Sequence, residues 1–357
     1  MSGTMTYGDS GDIIEDTISA LGERPVMAPG LTGGEAIHGS AATDLLCCLR
    51  GTKILTPVGE VCVETLGIGD RLITRFHGIR PIKWMGRQSF GARFINANRD
   101  KLPVRIRADA LGDQLPARDL FVSPAHAMLV DETLVLAKTL VNGVTITQDE
   151  VADECHYYQI EFETHDCVIA EGTWSESYAD VEGVRGQFHN AAEFEGLYPD
   201  DRAPKEKSLC AARTDGGARL DAVLRPVVAR AAAGLTPGPL RGSIDLVAEP
   251  GTVEGWAQDM DHPELPVLLE IVLGDDVIGT ILACDYRLDL QVAGLGQGRC
   301  AFFFTGPVEI SPAAMRTLRV RRAADGAEID MSAECEARIA GDQTGLSAAS
   351  TGVRRAA

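Results

Sequence analysis

Leu46-Cys47-Cys48-Leu49-Arg50-Gly51-Thr52, followed at once by Lys53-Ile54-Leu55-Thr56-Pro57-Val58-Gly59-Glu60, is the stretch on which the reading of this 357-residue chain turns. A thiol is followed by a short bend ending in Gly-Thr, then by a strand and a Pro-x-Gly turn. That order puts a sulfur at the mouth of a β-domain, beside the peptide bond joining it to the preceding residue. A thiolate there can attack its own preceding carbonyl and exchange an amide for a thioester, with the protein as its own substrate.

Outward from this stretch, almost every signal to about Ser177 is β. Val61-Cys62-Val63, Arg71-Leu72-Ile73-Thr74, Arg80–Met85, Val104–Arg107, Leu120-Phe121-Val122, Met128-Leu129-Val130 and Leu134-Val135-Leu136 are short runs separated by Gly, Asp and Pro turns. Close spacing without long helices predicts an all-β domain of hairpins. Asn142-Gly143 is a hairpin signal of its own. Val122-Ser123-Pro124-Ala125-His126 adds a hydroxyl and an imidazole in one strand-flanked turn. An imidazole titrates near neutrality and suits general acid–base work. A third block runs from Tyr158-Gln159-Ile160 through His165-Asp166 to Ala170-Glu171-Gly172.

Cys47 with Gly51-Thr52, the Ser-x-x-His of Ser123–His126 and the block ending Ala170-Glu171-Gly172 together resemble the Hint fold of hedgehog autoprocessing domains and inteins, most closely its bacterial hedgehog/intein-like group. The matching region, Cys47 to about Ser177, is a little over a third of the chain. Aligning Cys-x-x-x-Gly-Thr makes Cys47 rather than Cys48 the implied nucleophile. The resemblance assigns Ser123 and His126 to polarising and protonating the scissile amide, and His165 and Asp166 to assisting the second step. Three departures shape the expected reaction. Ser123 replaces the family's threonine, keeping the hydroxyl but losing the methyl that stiffens its rotamer. Gln159 stands where many inteins have an aspartate. Inteins end Gly-x-x-x-His-Asn, whereas Gly172 is followed by Thr173-Trp174-Ser175-Glu176-Ser177, with no asparagine to cyclise. A later His189-Asn190 pair precedes Ala191, which has no group to accept an acyl chain.

The reaction implied is hedgehog-type: Cys47 cleaves the Leu46-Cys47 bond through a thioester, without full splicing and in a single turnover. The substrate is the protein's own leader; water, a thiol or an amine serves as the second nucleophile. No cofactor and no metal are called for.

The chain divides into a small-residue-rich leader (1–46), the Hint-like domain (47–177), a helical extension and linker (178–240), a β-sandwich-like accessory domain (241–335) and a tail (336–357). In the extension, Leu220–Arg230 predicts a helix kinked at Pro226. The accessory region, with Gly255-Trp256-Ala257 and a hairpin over Gly274-Asp275-Asp276, resembles small modules that accompany bacterial glycosyltransferases and some Hint proteins. It supports an alternative function: a non-catalytic secreted or surface binding protein, its Hint domain a scaffold and its C-terminal module a carbohydrate binder. There Trp256, Tyr286 and Phe302–Phe304 either stack on sugars or fill the core. The formal charge of −19 argues against nucleic acid and anionic membranes. No apolar run nears the roughly 20 residues of a membrane span. Met1–Thr6 lacks the basic region of a secretory signal, so the location is cytoplasmic or reached by a signal-independent route. Nine scattered cysteines form no C-x-x-C and no zinc spacing; Cys62, Cys167, Cys284 and Cys300 read as small core residues. A conventional hydrolase lacks its Gly-x-Ser-x-Gly elbow here.

Overall fold

Alternating apolar positions become strands through most of the chain. The computed structural model describes residues 47–179, 184–201, 208–248, 251–306 and 314–340. The leader, with Leu46, and the tail from 341 lie outside the described residues. Two units emerge: Met1–Leu140 with Gln148–Arg213, and Val141–Thr147 with Thr214–Ala357.

In the first unit, β1 (Cys48–Leu49), β2 (Lys53–Thr56), β3 (Gly59–Cys62), β4 (Arg71–Thr74), β5 (Gly78–Pro81) and β6 (Trp84–Phe90) are followed by the short helix α1 (Ala92–Asn96). Then come β7 (Val104–Ile106), β8 (Leu120–Val122), β9 (Ala127–Val130), β10 (Thr133–Leu136) and one helical turn, α2 (Ala137–Leu140). Past β11 (Ile146–Thr147), which belongs to the second unit, the first resumes with β12 (Cys155–Glu161), β13 (Cys167–Ala170), β14 (Thr173–Glu176) and α3 (Ala191–Leu197). β15 (Arg213–Thr214) spans the boundary.

Two antiparallel sheets organise this unit. In one, β7, β8, β1, β12 and β6 lie side by side, with β1 held between Val122 and Tyr158 through Cys48. In the other, β10, β9, β14, β13, β2 and β3 follow one another, and β4 joins β13. The β13–β14 hairpin turns on Glu171 and Gly172, both with positive φ (48° and 84°), as a type I′ turn requires. An aromatic core of Trp84, Tyr157, Tyr178, Phe188 and Phe194 lies at one side. A second core gathers Ala127, Leu134, Cys167, Ile169 and Trp174, with Leu209–Ala211 packed against it. The expected hairpin at Asn142-Gly143 is instead a capped loop: Asn142 Oδ1 accepts the N–H groups of Val144, Thr145 and Ile146.

The second unit contains α4 (Gly217–Ala232), β16 (Leu240–Ala248), β17 (Thr252–Asp259), β18 (Val267–Leu273), β19 (Asp276–Ala283), α5 (Leu288–Val292), β20 (Ala301–Thr305), β21 (Leu318–Arg322) and β22 (Glu328–Ile329). One sheet runs β16-β17-β20 and the other β19-β18-β21-β22, enclosing Ile244, Val253, Leu269, Ile271, Phe302 and Val320. Gly255 makes the β16–β17 approach possible, since a Cβ there would fall 2.2 Å from the Ser243 carbonyl. Helix α4 runs unbroken through Pro226, which falls on its exposed face opposite the stripe Leu220, Val223, Leu224, Val227. The protein is thus mostly β, with few helices. No helix among the described residues is long and apolar enough to cross a membrane.

Candidate active site

Because β8 lies beside β1, its following turn meets the first residue of the domain. The Cys47 N–H donates to Ser123 Oγ at 2.9 Å, and the Ser123 N–H donates to the Cys47 carbonyl at 2.9 Å. One serine therefore grips both peptide groups of Cys47. Pro124 and Ala125 bend the chain until the His126 N–H reaches the Ser123 carbonyl at 3.1 Å. The His126 carbonyl accepts the Ala137 N–H at 2.8 Å, anchoring the turn on α2. His126 is fully buried, with Nε2 2.5 Å from Ser175 Oγ.

Ser175 is the residue that joins the turn to the thiols. Its Oγ lies 3.9 Å from the Cys48 sulfur as well as against His126. Cys47, one position earlier, packs among Trp84, Ile95, Tyr157 and Tyr178 in the aromatic core. Successive side chains leave a strand on opposite faces, which explains the divergence. Both thiols are sealed from solvent. Burial, with Cys48 nearby, pushes the Cys47 thiol far above its ordinary value. Burial likewise pushes Cys48 up to about 12, against the opposing bond from Ser175. Burial thus disfavours the thiolate on both sulfurs.

His165 and Asp166 occupy another network. Asp166 accepts the N–H groups of Phe76 (3.0 Å), His77 (3.1 Å) and Cys167 (2.7 Å), and it faces His77 Nδ1 at 2.6 Å. It fastens the turn after β4. His165 Nδ1 accepts the Cys210 N–H at 3.0 Å, while its Nε2 lies 3.6 Å from Glu176 Oε2. Glu176 is buried, accepts the Ala127 N–H at 2.5 Å and pairs with Arg213 at 2.5 Å. Burial raises its carboxyl, but Arg213, His165 and His126 outweigh burial and hold it down at about 2. Burial opposes charge on His165 as well; Cys210 and Glu176 overcome it and hold the imidazole up at about 9. In the present geometry the Nδ1 lone pair is taken by the Cys210 amide, so a second proton on the ring displaces that bond.

Of the five residues singled out by sequence, Ser123 touches the Cys47 backbone and His126 shares its turn. His165 and Asp166 instead engage Cys210, Glu176 and His77. Ser175, Glu176, Cys210 and Arg213 escaped the sequence reading. Glu176 stood only, with Ser177, as a replacement for a missing His-Asn, Ser175 was one of the unassigned positions between, and Cys210 and Arg213 lie in a stretch without periodicity. Among the described residues no group of three or more His, Cys, Asp or Glu is placed to hold a metal ion.

The sequence profile of the Hint domain matches residues 46–182. Among solved structures, the crystal structure of the gp41-1 intein is 14% identical, covering 36% of this chain and 97% of that one at a TM-score of 0.27. The bacterial intein-like domain from Clostridium thermocellum is 12% identical, with coverages of 38% and 99% and a TM-score of 0.27. For the MchDnaB-1 intein the values are 11%, 37%, 99% and 0.26. No curated protein matches the chain.

Proposed function

We propose, from the premise that residues 46–182 form a Hint domain of the autoprocessing class, that this protein cleaves itself at the Leu46-Cys47 bond through a thioester. The supporting observation is the hydroxyl of Ser123, 2.9 Å from the nitrogen of the bond to be broken. As the Cys47 sulfur adds to the Leu46 carbonyl, its proton passes to the Ser123–His126 turn. The nitrogen pyramidalises, gains a proton from that turn and leaves as the amine of Cys47. The acyl group now rests on sulfur. Water, a thiol or an amine attacks this thioester, frees the leader and restores the thiol. The domain then starts at Cys47, and each chain reacts once.

A second reading rests on the pleat of β1. The Cys48 sulfur, rather than the aromatic-packed Cys47, faces Ser175 and through it His126. The Cys47 carbonyl already accepts the Ser123 N–H, a donor suited to developing oxyanion charge. Attack by Cys48 on that carbonyl produces a domain one residue shorter.

Intact masses of the full chain, Cys47→Ala and Cys48→Ala, recorded with and without dithiothreitol, separate these readings. The first expects a product starting at Cys47, made faster by dithiothreitol and absent from Cys47→Ala. The second expects a product starting at Cys48 and absent from Cys48→Ala. Full-length protein in all samples would leave the domain as a scaffold and favour the binding-protein alternative.

A further inference from the structure

We propose that Cys167 and Cys210 are the two halves of a reversible disulfide, formed by exchange with a low-molecular-weight disulfide and closing residues 208–213 onto the β13–β14 hairpin. This site is independent of the self-cleavage reading.

The two sulfurs lie 3.7 Å apart. A disulfide requires about 2.0 Å, and the two sulfurs are already in contact. The segment bearing Cys210 is held above Cys167 by three contacts that do not depend on the charge of His165. Ala212 accepts the Leu134 N–H through its carbonyl at 2.8 Å. Arg213 pairs with Glu176 at 2.5 Å, and Leu209, Cys210 and Ala211 pack on the core that contains Cys167 and Trp174. Glu176 is the cross-strand neighbour of Cys167, so the ion pair and the thiol pair sit at one point of the hairpin.

The two thiols have unequal roles. Cys167 is wholly buried and Cys210 only partly, so an attacking disulfide reaches Cys210 first. The contacts with Cys167 and His165 lower the Cys210 thiol against the cost of burial. Cys167 is pushed well above its usual range by burial and by Cys210.

With oxidised glutathione as the reagent, the Cys210 thiolate attacks one sulfur, and one glutathione thiolate leaves. Cys167 then attacks the Cys210 sulfur of this mixed disulfide. The second glutathione leaves as a thiolate and takes the Cys167 proton. Two protein thiols have lost two electrons and two protons, and one glutathione disulfide has become two thiols.

The test is a non-reducing peptide map of the reduced full chain after incubation with oxidised glutathione at neutral pH. Both cysteines lie downstream of Cys47, so the map reads the same bond whether or not the chain has cleaved itself. The expected result is one cross-linked pair, Cys167 with Cys210, reversed by dithiothreitol. Cys167→Ser is expected to stop at one glutathione on Cys210, and Cys210→Ser to leave Cys167 unmodified. A lasting glutathione on Cys210 in the parent chain, a cross-link through other cysteines, or no reaction at either thiol would overturn the proposal.

Discussion

Cys47 and Cys48 are enclosed by aromatic rings and neutral hydroxyls, whereas Cys167 and Cys210 border a buried Glu176–Arg213–His165 cluster in the same unit. Burial acts on every one of these sulfurs and always disfavours the thiolate. Cys48 stays at about 12 because the lone Ser175 bond cannot offset that cost. Cys210 falls to about 6 because the Cys167 thiol and His165 stabilise its charge. Depth alone does not tell a reactive cysteine from an inert one; the polar groups aimed at the sulfur decide. Under the proposed self-cleavage, the sealed pair gives up its proton as the sulfur attacks, which suits a single event. The other is poised for repeated exchange.

This contrast can be broken at four points, beginning with the largest effect. Cys47→Ala is expected to abolish release of the leader, read as intact mass over days; persistence of cleavage would move the nucleophile to Cys48. Next, iodoacetamide at pH 7 is expected to label Cys210 faster than Cys48, since Cys210 is lowered and partly exposed whereas burial raises Cys48. Equal labelling, followed by peptide mapping over time, would erase the distinction between the pairs.

The third point concerns the cluster itself. Glu176→Gln leaves Arg213 without its carboxylate and is expected to cost about 3 kcal/mol in urea unfolding at neutral pH. The same carboxylate predicts an acid dependence. Its folded pKa, about 2, lies below its unfolded value, so its stabilisation is present above about pH 4.5 and is lost as pH falls toward 2. Parent protein should lose about 3 kcal/mol over that window, while Glu176→Gln should show a flatter profile. The smallest effect is expected at Ser123. Its alanine variant should slow cleavage about tenfold, and threonine should restore the rate. A loss of folding in Ser123→Ala, seen by circular dichroism, would make the serine's grip on Cys47 structural rather than chemical.

The sequence shows the strands of the first unit because hydrophobic alternation is a local property, readable from Ile54, Leu72 or Val122 without knowing any partner. It also placed Ser123 and His126 in one turn, since Pro124 and short spacing confine them. The pairing of strands distant in sequence is not local. Ser175 meets His126 because β14 lies beside β9, and nothing in Thr173–Ser177 announces that neighbour. His165 and Asp166 read as one acidic-basic unit, yet His165 meets Cys210 and Glu176 while Asp166 fastens Phe76, His77 and Cys167, partners that lie far off in sequence or on the backbone. Cys167 looked like a core residue and is one; the partner that changes its meaning comes from a polar stretch 43 positions on.

The two-residue turn at Glu171-Gly172 carries a consequence for how such a chain evolves. Ser175 and Glu176 are consecutive residues that serve opposite faces of a single strand. Ser175 reaches His126 directly, and Glu176 reaches the backbone beside it through the Ala127 N–H. Insertion or loss of one residue between Val168 and Ser175 would turn the strand over, presenting an alcohol to Arg213 and a carboxylate to Cys48. The length of the hairpin is therefore expected to stay frozen, and gaps among descendants of this chain should collect elsewhere.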